Sequence, residues 1–114
     1  MGDPKDVVAT HLQELRRGTV VAAALAACDE PRYGYALLTT LAEAGIDVDA
    51  NTLYPLLRRL EKQGLLEARW DTDEARPRKY YTVTPDGSTM LAAMRDEWAS
   101  LSASLSGLWK GTTS

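Results

Sequence analysis

A mainly α chain with a small β-hairpin is predicted by three observations. Apolar residues recur at helical spacing in three stretches before residue 64, two strand-like stretches flank a polar loop between residues 65 and 83, and a heptad pattern fills the C-terminal end. The order helix, helix, helix, strand, strand, helix is the plan of a winged helix-turn-helix followed by a C-terminal dimerisation helix. At 114 residues, 45% apolar and 25% charged, the chain suits one core and not separate catalytic and regulatory domains. The expected organisation is a winged-helix unit over 1–84, whose first helix also packs at a dimer interface, then the dimerisation helix over 85–110 and a tail over 111–114.

The first helix is expected from about Asp6 to Cys28, because the stretch has no proline, Gly18 is its one glycine, and Val8, Leu12, Leu15, Val21 and Leu25 fall on one side. Asp29-Glu30-Pro31 stops it, since a residue before proline avoids the helical region. A second helix runs from about Tyr35 to Ala44 and closes on Gly45. Asp49 or Asn51 caps a third helix that runs to Gln63 and ends at Gly64, with Pro55 near its first turn. Leu65 to Trp70 and Lys79 to Val83 are the strands of a hairpin whose polar tip spans Asp71 to Arg78. Thr84-Pro85-Asp86 opens the last helix, with a capping hydroxyl, a proline suited to the first position and an acid at the positive end of the dipole.

Composition excludes several classes of function. Cys28 is the single cysteine, so there is no internal disulfide and no multi-cysteine zinc site, in keeping with a reducing, cytoplasmic setting. The apolar run Val20 to Cys28 is far shorter than the roughly 20 residues a membrane span needs. His11 stands alone, Asp96 and Glu97 diverge by about 100° on a helix, and no phosphate-binding glycine loop or H-E-x-x-H motif is present. An enzyme is not expected, and no cofactor is implied.

Net charge is −3, yet the charges are unevenly spread. Residues 1–50 hold 4 basic and 8 acidic side chains, 51–84 hold 7 and 5, and 85–114 hold 2 and 3, so the middle third alone is net positive. On the third helix Leu53, Leu56, Leu57 and Leu60 share a face that must pack inward. The opposite pole is then Asn51, Pro55, Arg58 and Lys62, with Thr52, Tyr54 and Arg59 on its flanks. Such a face suits a DNA major groove, where Asn pairs with adenine and Arg or Lys with guanine or phosphate. Arg76, Arg78 and Lys79 cluster at the hairpin tip and returning strand, within reach of a minor groove or flanking phosphates. The alternative reading is a winged-helix module that binds protein through this face, which the overall acidity keeps open.

Leu91, Met94, Trp98, Leu101, Leu105 and Leu108 recur in alternating steps of three and four, a heptad seam. A small three-helix head cannot cover a seam of that length, so a second copy of the chain is its expected cover. Trp98 either fills the dimer core or offers a flat stacking face to a ligand between two subunits.

The chain resembles the PadR family of bacterial transcriptional regulators, in the shorter subclass with one C-terminal helix. The matching stretches are Leu15-Arg16-Arg17-Gly18-Thr19, Tyr33-Gly34-Tyr35, Thr52 through Glu61 (T-L-Y-P-L-L-R-R-L-E), Gly64-Leu65, Arg78-Lys79-Tyr80-Tyr81 and Thr82 through Gly87. The resemblance covers roughly residues 15 to 98 in one register. It implies a homodimer on an inverted-repeat operator in double-stranded DNA, usually a repressor, with contacts from the third helix and the wing. It carries Thr52, Tyr54 and Pro55 into the reading helix, sets Tyr33 and Tyr35 at the opening of the second helix, and makes Arg78-Lys79 the close of the wing. It also implies that Trp98 falls where some drug-responsive members place a tryptophan in a central dimer cavity. Leu91, Arg95 and Ser102 are candidate neighbours there, and Val21 and Leu25 of the first helix candidates for the other wall, around a planar aromatic or cationic effector.

Overall fold

In the computed structural model, which describes residues 3–73 and 75–110, the chain begins with helix α1 at Pro4–Ala27. The Asp3 carboxylate caps it by accepting from the Lys5 N–H, and Pro4 fits the first turn, where its missing N–H costs nothing. At the other end the Arg32 Nε donates to the Ala27 carbonyl, so a cation closes the negative pole of the helix. Gly18 does not interrupt α1.

Strand β1 (Arg32–Tyr33) leads directly into α2 (Gly34–Glu43), and α3 follows at Ala50–Lys62. Both helices end in the same hydrogen-bonded pattern: Ile46 N–H reaches the Leu41 carbonyl at 2.8 Å and Leu65 N–H the Leu60 carbonyl at 2.9 Å, after glycines at positive φ. Gly45 (φ 89°) and Gly64 (φ 76°) supply the left-handed residue that this termination needs, and the apolar Ile46 and Leu65 that follow fold back onto the core. The Asp49 side chain caps α3 through the Thr52 N–H at 2.8 Å, which settles the choice between Asp49 and Asn51. Pro55 lies in the sixth residue of α3, beyond the first turn. It therefore has no N–H to offer the Asn51 carbonyl, and that acceptor is left on the outward side of the helix.

Strands β2 (Leu66–Asp71) and β3 (Arg78–Val83) form the hairpin, and α4 runs from Pro85 to Trp109 under a Thr84 cap. The sheet has three strands in the order β1-β3-β2, all antiparallel, with Arg32 opposite Tyr81 and Tyr33 opposite Tyr80. The expected two-stranded ribbon therefore gains a third strand. β1 has two residues, too few to carry an alternating pattern, and it exists because the stretch just before α2 runs alongside β3.

The core is built from Ala24, Leu25, Cys28, Leu37, Leu41, Leu53, Leu57, Leu60, Leu65, Leu66 and Tyr81, and it contains no buried polar side chain among the described residues. Leu56 is only half-buried at its edge. Val8, Leu12 and Leu15 share a side of α1 with Leu25 but are exposed, because the N-terminal half of the helix projects beyond the core. The far half of α4 projects likewise. The Cα radius of gyration is 17.0 Å, against about 13 Å for a compact chain of this length. No helix among the described residues is long and apolar enough to cross a membrane, and the 111–114 stretch expected as a tail lies outside the described residues.

Candidate nucleic-acid interface

Burial of Leu53, Leu57 and Leu60 fixes the rotation of α3, and the opposite face is open to solvent. Asn51, Thr52, Pro55, Arg58, Arg59 and Lys62 are all exposed there, and Tyr54 is half-buried on the flank toward α2 and β3. The helix has a cation-rich last turn, with Arg59 and Lys62. Its one carboxylate, Glu61, is turned aside to the wing, where it accepts from the Lys79 ammonium at 2.9 Å. The outward pole thus presents an amide, a hydroxyl and three cations with no carboxylate among them.

The wing is held on both faces. Register pairs alternate across the hairpin, so Trp70 and Lys79 face one side while Asp71 and Arg78 face the other. On the first side Lys79 meets Glu61 and lies 5.4 Å from the Tyr81 ring. Hydrogen bonding to Glu61 raises the Lys79 pKa above the ordinary lysine value. On the second side the Tyr33 hydroxyl donates to the Asp71 carboxylate, which also accepts from the Asp73 N–H at 3.1 Å. The Tyr33 bond first, then the Asp73 N–H and the charge of Arg78, hold the Asp71 carboxyl below its usual range.

The two tyrosines that flank Gly34 are stacked, with centroids 5.7 Å apart and rings 10° from parallel. Tyr80 meets Tyr33 edge-on at 6.1 Å. The Arg78 guanidinium lies 5.4 Å from the Tyr35 centroid and 5.9 Å from that of Tyr33, and donates to the Tyr35 hydroxyl at 3.0 Å. This cation is oriented by aromatic faces before any ligand arrives. Arg76, at the tip, is exposed.

The expected DNA-facing residues thus divide. Asn51, Thr52, Pro55, Arg58, Arg59, Lys62 and Arg76 stand in solvent, Tyr33, Tyr35 and Arg78 form one cluster at the wing root, and Lys79 is directed inward. The partners Glu61 and Asp71 were not legible as such, because each contact joins residues distant in sequence. Trp70 is a further unanticipated surface group, 61% exposed, lining a cleft of about 290 Å³ with Tyr35, Tyr54, Arg78, Lys79 and Tyr81.

The seam residues on α4 divide too. Leu91 and Met94 pack in part against the core, whereas Trp98, Leu101, Leu105 and Leu108 are exposed, and Arg95 and Ser102 stand in solvent beside them. Val21 is half-buried. Leu25 is fully buried among the core leucines and so has no surface to offer a cavity wall; its place in the apolar stripe serves the core. No group of three or more His, Cys, Asp or Glu able to hold a metal occurs among the described residues.

Comparison with known proteins agrees with this geometry. The sequence model of the PadR-like family of transcriptional regulators matches residues 24–93, more than half of the chain. A PadR family transcriptional regulator of Eggerthella lenta, of known crystal structure, is 47% identical, with a TM-score of 0.87 over 91% of this chain and 93% of that one. A PadR-like transcriptional regulator of Bacillus cereus is 30% identical, with a TM-score of 0.73 over 83% of this chain and 95% of that one. A transcriptional regulator of Mycobacterium tuberculosis is 38% identical over 69 residues, 60% of this chain and 64% of that protein. With its winged helix, its cationic helix face and this likeness in both sequence and fold, the chain belongs to the PadR-like family of transcriptional regulators.

Proposed function

We propose that this protein is a homodimeric repressor that places the outward pole of α3 in the major groove of each half of an inverted-repeat operator. The observation that carries this reading is the α3 face itself: Asn51, Thr52, Arg58, Arg59 and Lys62 exposed together, with Glu61 withdrawn to Lys79. Asn51 and Arg58 match the hydrogen-bonding edges of adenine and guanine, while Arg59, Lys62, Arg76 and Arg78, the last oriented by the Tyr33 and Tyr35 rings, suit phosphates on either side.

Two-fold pairing rests on α4. Trp98 is 59% exposed, Leu101 53% and Leu108 74%, an apolar row that water would meet in a monomer. Two chains joined along this row present two reading helices, and their half-sites are expected about 10 base pairs apart or at a multiple of that. Trp98 and its mate, with Arg95 and Ser102 alongside, are proposed to receive a planar aromatic or cationic effector that releases the operator. Such a ligand acts only by binding the DNA-incompetent spacing better than the competent one.

Selection of bound fragments from random double-stranded DNA tests the reading. The expected outcome is an enriched inverted repeat bound by two chains. Binding to no sequence above the non-specific level would favour a winged-helix module that engages protein.

A further inference from the structure

We propose that Lys79 is a positioning residue and not a phosphate contact: with Glu61 on one face of the wing and Tyr33–Asp71 on the other, it sets the wing against the reading helix, a role that rests on the DNA-binding reading above.

Geometry separates Lys79 from the other wing cations. Its side chain is 27% exposed, its ammonium donates to Glu61 at 2.9 Å, and it lies 5.4 Å from the ring of the buried Tyr81. The carboxylate and the ring face hold this ammonium toward α3, and turning to a phosphate would strip Glu61 of its partner. Glu61 is also the one carboxylate of α3, on the helix meant to approach a polyanion. Taken as bare charge it would weaken DNA binding; paired across to β3 it joins reader and wing.

The second face carries the matching device. Asp71 stands opposite Arg78 in the register, one step along from the Trp70–Lys79 pair, and so points away from α3. There it accepts a hydrogen bond from the hydroxyl of Tyr33, at the end of β1, immediately before α2. The wing is thereby tied to α3 by Glu61–Lys79 and to the start of α2 by Asp71–Tyr33. Glu61 and Asp71 are thus both engaged within the protein.

Contact and strut make opposite predictions for Glu61→Gln. Where Lys79 contacts phosphate, removing the Glu61 charge frees the ammonium and strengthens operator binding, and Lys79→Ala lowers the slope of log K against log salt by about 0.9. Where Lys79 is a strut, Glu61→Gln and Lys79→Ala each weaken operator binding, on the order of fivefold, the double variant is no weaker than either single one, and the salt slope keeps its wild-type value. The measurement is operator affinity of the full chain across a salt series for the wild type, both single variants, the double variant and Tyr33→Phe, with thermal unfolding to confirm that each is folded. Tyr33→Phe removes one hydroxyl and is expected to weaken binding with an unchanged slope. Tighter binding by Glu61→Gln, additive losses, or a lowered slope in Lys79→Ala would overturn the strut while leaving operator binding itself intact. Failure of the wild type to bind any sequence specifically would instead overturn the DNA-binding reading, and the strut with it.

Discussion

Replacing Gly87 with alanine tests the closest approach in the fold. A Cβ at this position would stand 2.1 Å from the Leu65 carbonyl oxygen and 2.7 Å from Val83 Cγ2. The first obstacle is backbone, so α4 must move. Two bonds are exposed to that movement: Thr84 N–H to the Leu65 carbonyl at 3.1 Å, and Gly87 N–H to the capping Thr84 Oγ1 at 3.0 Å. Overpacking of this kind costs about 1–3 kcal/mol, and loss of the cap about 1 kcal/mol more. The helix propensity of alanine over glycine returns about 1 kcal/mol. The balance is a destabilisation of about 1–3 kcal/mol, which for a domain near this size lowers Tm by roughly 4–24 °C. Thermal unfolding at one fixed protein concentration reads the effect, with Gly18→Ala as the control. A Cβ at Gly18 meets no atom within 4 Å, so that variant is expected to match or exceed the wild type by up to about 1 kcal/mol. A Gly87→Ala protein as stable as the wild type would refute the close packing of α4 on Leu65.

Four other outcomes are expected. Leu101→Lys with Leu105→Lys puts two charges into the exposed α4 row and should give a monomer by sedimentation, whereas a well-folded dimer would place the interface elsewhere. The depressed Asp71 pKa stabilises the folded wing above the unfolded value of about 3.9 and is lost as pH falls through the lower folded value. The stability difference between wild type and Asp71→Asn should therefore be flat from pH 5 to 8 and vanish in stronger acid; a change near neutrality would contradict it. Burial pushes the Cys28 thiol up to about 12, so a thiol reagent at pH 8 should modify native protein far more slowly than denatured protein, and equal rates would show the thiol to be accessible. Planar dyes should quench tryptophan emission in the wild type and lose affinity in Trp98→Ala, while unchanged affinity would leave Trp98 as part of the dimer core.

Legibility in the sequence followed the range of the interactions. Helices α3 and α4 were readable because their ends are written locally: Asp49 three residues before its Thr52 partner, Thr84 before Pro85, and Gly64 after the last turn. The outward pole of α3 followed from its four leucines, although Leu56 is only half-buried. Strand β1 was not readable, since two residues carry no period and their pairing with Tyr80 and Tyr81 joins distant segments. Lys79 reads in sequence as one more wing cation; its Glu61 partner lies on another element, and that contact turns it inward. Leu25 shares the helical period of Val21, yet a stripe shows only that a side chain is apolar, not whether it faces the core or a second chain.

The central claim, that the α3 pole reads base edges, is tested most directly by one competition measurement. Wild type and Arg58→Ala are titrated with the selected operator and with a set of operators each changed at one base pair. A reading role predicts that Arg58→Ala loses about 1–3 kcal/mol on the intact operator and stops discriminating at one symmetric pair of positions, while Arg76→Ala weakens all sequences alike. Equal losses on every operator in Arg58→Ala, or none, would contradict the account and return the α3 face to an ordinary solvated surface.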